Sequence, residues 1–146
     1  MAAAGPAAAA PPQDQQFTIT DDFAAGESTV VASGAINATG TDVETGFKEA
    51  GRTGHSTDDL VFDDGTIHLK VKGVDSSEFD PSTCTATVNE KGNYVITGGD
   101  GAYAGITGSG HFTVTGTIQF EQTEEGCNFD AATGTVTVDA PGKVKL

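Results

Sequence analysis

From Phe17 onward, apolar and polar residues alternate with a period of two over most of the chain. Successive side chains on a strand point to opposite faces, so this period predicts strands. Phe17-Thr18-Ile19-Thr20 alternates and stops at Asp21-Asp22. Thr29 to Thr39 reads as one extended stretch with Val30, Ala32, Gly34, Ile36 and Ala38 on a single face; Gly34 within it suggests a bend or bulge. Residues 40 to 58 break the alternation, with charges scattered among Gly46, Gly51 and Gly54, and read as a long polar loop with at most part strand.

The strand signals then sharpen. Asp59 to Asp63 runs into Asp64-Gly65, a hairpin turn signal. Thr66 to Gly73 alternates Ile67, Leu69 and Val71 against His68, Lys70 and Lys72. Asp75 to Pro81 reads as a polar loop, Ser82 to Glu90 as a strand, Lys91-Gly92 as a turn and Asn93 to Thr97 as a strand. In His111 to Phe120, Phe112, Val114, Gly116, Ile118 and Phe120 face one way, against His111, Thr113, Thr115, Thr117 and Gln119. Glu124-Glu125-Gly126 is a turn, and a last strand pair carrying Val136, Val138, Val144 and Leu146 is broken at Pro141-Gly142. No long window has the 3.6-residue period of a helix. Some eight strands at hairpin spacing, each with one apolar face, predict an all-β domain, either a closed antiparallel barrel or a sandwich.

Composition agrees. The 146 residues suit one domain, and 20 are Gly, against a usual share of roughly 7%. The Ala/Pro-rich residues 1–16 are expected to be a disordered tail, readable as the remnant left by signal cleavage, with the single domain at 17–146. Seven basic against 21 acidic residues leave a net charge of −14. Such a surface repels phosphate backbones and anionic lipid, so no nucleic-acid partner is expected, and no apolar run is long enough for a membrane span.

Candidate chemistry is sparse. Cys84 and Cys127 lack CxxC spacing, so a disulfide is the better reading and two buried thiols the alternative. The closed loop would be long enough for about 4 kcal/mol of chain-entropy stabilisation. A disulfide would point to a secreted, extracellular protein. His55, His68 and His111 have no converging partners in sequence, and no metal or other cofactor is expected. The pairs Asp21-Asp22, Asp58-Asp59, Asp63-Asp64 and Glu124-Glu125 read as turn and solubility residues, because neighbours on a strand face opposite ways. No Gly-x-Ser-x-Gly elbow is present, so catalytic residues are unknown. If a barrel encloses a cavity, its ligand-binding lining is drawn from Ile36, Phe62, Leu69, Tyr94, Ile96, Phe112, Val114 and Phe120; in a small barrel the same residues can simply fill the interior.

One segment is distinctive. Gly98-Gly99-Asp100-Gly101-Ala102-Tyr103-Ala104-Gly105-Ile106-Thr107-Gly108 sets a dense glycine turn before the best-patterned strand, with Tyr103 placed to pack across bare glycines. It lacks the Lys and following helix of a phosphate loop. The string resembles the "GGTG-x-aromatic-x-G-x-x-G" segment of the allene oxide cyclase and dirigent superfamily, and within it small secreted actinobacterial barrels, with Asp100 where Thr is usual. Asp64-Gly65-Thr66, Asp80-Pro81-Ser82-Thr83-Cys84 and Gly126-Cys127 are similar too. The resemblance implies an eight-stranded antiparallel barrel with an apolar lumen that binds a small apolar molecule, and a homo-oligomer. It also implies the alternative of a cofactor-free isomerase or cyclase acting on a hydrophobic substrate. An extracellular interaction module is the remaining expectation.

Overall fold

The computed structural model describes residues 11–146, which form nine strands and no helix. These are β1 (Gln13–Asp22), β2 (Glu27–Gly34), β3 (Ala38–Ala50), β4 (Thr53–Phe62), β5 (Gly65–Asp75), β6 (Glu78–Asp80), β7 (Thr85–Gly101), β8 (Thr107–Thr123) and β9 (Gly126–Lys145). They pair antiparallel in the order β5-β4-β3-β2-β1-β9-β8-β7-β6, and β5 also pairs β7. That last pairing closes eight strands into a barrel and leaves β6 as an extra strand on the first residues of β7. Of the two architectures open in the sequence, the barrel forms, and closure removes the exposed edges a sandwich would keep.

Several expected boundaries are corrected. The first strand begins at Gln13 rather than Phe17, because Gln13–Gln16 pair with β9 although their side chains carry no alternation. The Ala/Pro-rich start, residues 1–10, lies outside the described residues. The stretch 29–39 is two strands joined by a turn at 35–37, where the Asn37 side chain amide donates to Gly34 O at 2.8 Å. The supposed loop 40–58 is strand almost throughout, in β3 and β4. Lys91-Gly92 is not a turn, since β7 runs unbroken and Gly92 pairs with Gly73. Pro141-Gly142 does not break β9. Instead the β8–β9 ladder skips from Gly110↔Gly142 to Thr113↔Asp139, where Pro141 has no N–H to offer.

The chain alternates between two barrel ends. The β2–β3, β4–β5 and β7–β8 turns gather at one, and the β1–β2, β3–β4 and β8–β9 turns at the other. The first end is closed. Ile36, Phe62, Ile67, Tyr103, Ile106 and Val144 are buried there as part of the core cluster. Burying each large apolar side chain stabilises the fold by about 1.5–3 kcal/mol. The glycine segment supplies two of these plugs. Gly98–Gly101 belong to β7, and only 102–106 turn, with Gly101 and Gly105 at φ of 64° and 81°. Those left-handed glycines tuck Ile106 in at 1% exposure and set Tyr103 against Phe62, ring centroids 5.6 Å apart. The Tyr103 hydroxyl donates to Asp64 Oδ1 at 2.9 Å. Gln15, the buried polar residue of this end, is satisfied on both sides of its amide: Nε2 donates to Ile36 O, and Oε1 accepts from Ile36 N.

At the other end β3–β4 and β7–β9 extend past the barrel body. Cys84 and Cys127 form a disulfide there, Cα atoms 5.5 Å apart, tying the turn before β7 to the start of β9. Of the two thiol readings, the bridge is the one realised, and no free cysteine remains.

Candidate functional site

The barrel is not filled. Toward its open end it holds a cavity of about 230 Å³ lined by residues of β1, β3, β4, β5, β7, β8 and β9. The inner half is apolar, with Phe17, Leu60, Leu69, Tyr94, Phe112 and Ala140. The half nearer the mouth carries Asp21, Asp42, Glu44, Ser56, Asp58 and Glu90, with Phe47 from the extended β3–β4 hairpin at its rim.

Tyr94 anchors the inner wall. Its ring meets Phe17 edge-on at 6.3 Å, and its hydroxyl lies over Gly110 and Gly142 and donates to Ala140 O at 3.5 Å. A Cβ at either glycine would collide with that hydroxyl, so these two positions must stay bare for the tyrosine to lie flat. Burial pushes its phenol up to about 12.

The carboxylates come from a pattern opposite to the usual one. On β4 the inward residues are Ser56, Asp58, Leu60 and Phe62, while Val61 faces out and stays exposed. On β3, Asp42 and Glu44 point in and Val43 points out. A bulge between Glu44 and Gly46 then shifts the phase by one, so that Phe47, opposite Ser56, takes the inner face. Asp58 accepts a hydrogen bond from Ser56 Oγ at 2.8 Å. Asp42 Oδ1 is sealed from solvent and meets no donor among the described residues. Desolvation first, then the neighbouring Asp58, then the charges of Asp21 and Glu44, push the Asp42 carboxyl up to about 8. Glu44 is raised by desolvation and by Asp58 and Asp21, and Glu90 by desolvation and Asp75.

The eight candidate lining residues divide. Leu69, Tyr94, Phe112 and Val114 line the cavity. Ile36, Phe62 and Ile96 are buried in the core but do not reach it. Phe120 lies beyond the mouth, on the continuation of the inner β8 face, where it packs with Phe79 at 6.1 Å and Phe129 at 5.0 Å. The expectation that acidic pairs serve turns and solubility is corrected for Asp21 and Asp58, which face the lumen while Asp22 and Asp59 do not. Asp42, Glu44 and Glu90 join them without having stood out among the charges of the sequence. A signal for Asp58 does exist in the pattern: counting two residues at a time from Phe62 through Leu60 lands on Asp58 and then on Ser56.

Outside the barrel, His68 does not stand free in solvent. Its Nδ1 lies 2.6 Å from Asp59 and its Nε2 3.0 Å from Asp100, which raise its pKa and tie β4, β5 and β7 across the closing seam. No three His, Cys, Asp or Glu side chains among the described residues converge as metal ligands. The chain matches no protein-family model, no curated protein and no solved structure. The closed eight-stranded barrel is compatible with the resemblance carried by the glycine segment.

Proposed function

We propose that this protein is a secreted, disulfide-stapled barrel of the allene oxide cyclase-like type that holds a small, largely apolar molecule in its lumen. The observation that carries the reading is the cavity of about 230 Å³, walled by Phe17, Leu60, Leu69, Tyr94 and Phe112 and open at one end. Barrels of this size usually fill their interior with side chains, and a void left between apolar walls forgoes dispersion contacts that an occupant would restore. The Cys84–Cys127 bridge supports an oxidising, extracellular location. An open lumen favours this reading over an interaction module. The test is binding of indole to the wild-type chain and to Val138→Phe, which fills the cavity from β9. Saturable binding is expected in the wild type, weakened at least about tenfold in the variant. Absence of saturable binding in the wild type would sink the reading.

A second reading, a cofactor-free isomerase or cyclase, is favoured by one observation. Asp42, whose carboxyl burial pushes up to about 8, faces Asp58, which accepts from Ser56 Oγ at 2.8 Å, so two carboxyl groups stand together beside an apolar wall.

A further inference from the structure

The lumen carboxylates lack a counter-charge. Of the 17 residues lining the cavity, Asp21, Asp42, Glu44, Asp58 and Glu90 are acidic, and none is Lys, Arg or His. Glu44 is exposed at the rim, while Asp21, Asp42, Asp58 and Glu90 are half-buried, and a carboxylate drawn from water is ordinarily paired because its unpaired charge is costly. Here no lining group of the protein offers the partner. A proton kept on Asp42, whose Oδ1 is sealed and without a donor, relieves part of the cost.

Ligands of different charge would change this cost in opposite directions. A neutral molecule seated on the apolar wall would strip more water from the carboxylates. An anion would add direct repulsion. A cation would supply the missing partner and allow Asp42 to ionise. A bare metal ion is a poorer fit, because no three ligands converge among the described residues and the apolar wall would still face a void. The volume lies below the 300–1,000 Å³ common for drug-sized ligands.

Resting on the lumen-binding reading above, we infer that the occupant is a small amphiphilic amine. Its apolar body lies against Phe17, Tyr94 and Phe112, and its ammonium sits among the carboxylates of Asp42, Asp58 and Asp21. Binding displaces the Asp42 proton to solvent. The groups that face Asp42 are Asp58 from β4, Glu44 on its own strand and Asp21 from β1, all acidic, so none of the described residues facing it competes with the amine for this role.

Three probes that share one ring system test this: tryptamine (cation), tryptophol (neutral) and indole-3-acetate (anion). The chain contains no Trp, so indole emission excited at the red edge reports the probe alone. Tryptamine is expected to bind at least about tenfold tighter than tryptophol, with indole-3-acetate weakest. Calorimetry in two buffers of different ionisation enthalpy should show net proton release on binding tryptamine near neutral pH. In Asp42→Asn/Asp58→Asn the tryptamine preference should fall to within about threefold, with tryptophol binding no weaker than in the wild type, since the carboxylates it desolvates are gone. Should the double variant fail to fold, Glu44→Gln at the exposed rim should lower the preference for tryptamine without weakening tryptophol. Equal binding of all three probes would overturn the amine assignment and leave the lumen reading standing. No binding of any probe would remove both.

Discussion

Asp42 is a residue at which the architecture carries a cost, since its Oδ1 is sealed from solvent without a donor among the described residues. A carboxyl whose pKa is raised on folding binds a proton that the unfolded chain has already lost, so stability falls as pH rises between the two values. For Asp42 that window opens near the ordinary 3.8 and closes at about 8. Asp42→Asn keeps the shape and removes the ionisation. It is expected to melt about 3–6 °C above the wild type at pH 8, with the gap shrinking toward pH 4, as thermal unfolding across that range would register. A gap that is unchanged with pH would mean that Asp42 ionises freely in the folded barrel. Asp58, one strand away, accepts from Ser56 Oγ at 2.8 Å and faces the same lumen.

At the scale of elements, the glycine turn is a plug rather than a lid. Its two left-handed glycines let 102–106 fold inward, so that Tyr103 and Ile106 seal the end opposite the mouth. Tyr103→Ala removes the ring from Phe62 and leaves the Asp64 carboxylate without that hydroxyl. The expected loss is about 3–5 kcal/mol in urea unfolding, typical of a large buried aromatic cut to Ala. A loss below about 1 kcal/mol would show that the closed end repacks without it. The strands themselves are legible in the sequence wherever apolar residues face in, as in β5 and β8. They are hidden in β3 and the first half of β4, where the inner face is acidic and a bulge changes the phase.

For the whole molecule, the disulfide ties down the extension beyond the barrel. The bridge spans 43 residues of sequence and joins the start of β7 to the start of β9 on either side of β8. Chain-entropy arguments assign a loop of this length about 4 kcal/mol, and removal of native bridges commonly costs about 2–5 kcal/mol. Denaturant unfolding of Cys84→Ala/Cys127→Ala, and of the wild type with and without reductant, should both show a loss in that range. A reductant-insensitive midpoint would mean that the barrel holds the extension without the bridge, and would weaken the argument for export.

The sequence by itself determined the all-β class, the strand-rich Gly and Thr chemistry, the thiol pair and the packing role of Tyr103, because each is a local property or a period-two pattern. It also put Leu69, Tyr94, Phe112 and Val114 on inward faces. Only the tertiary structure decided that the lumen stays open, that Phe120 falls outside it, and that Asp21, Asp42, Glu44, Asp58 and Glu90 meet inside. The reason is physical: those carboxylates lie on four different strands, β1, β3, β4 and β7, and none breaks a local rule strongly enough to signal its neighbours. Barrel closure through β5 and β7 brings them to one space, and the desolvation that raises Asp42 exists only there.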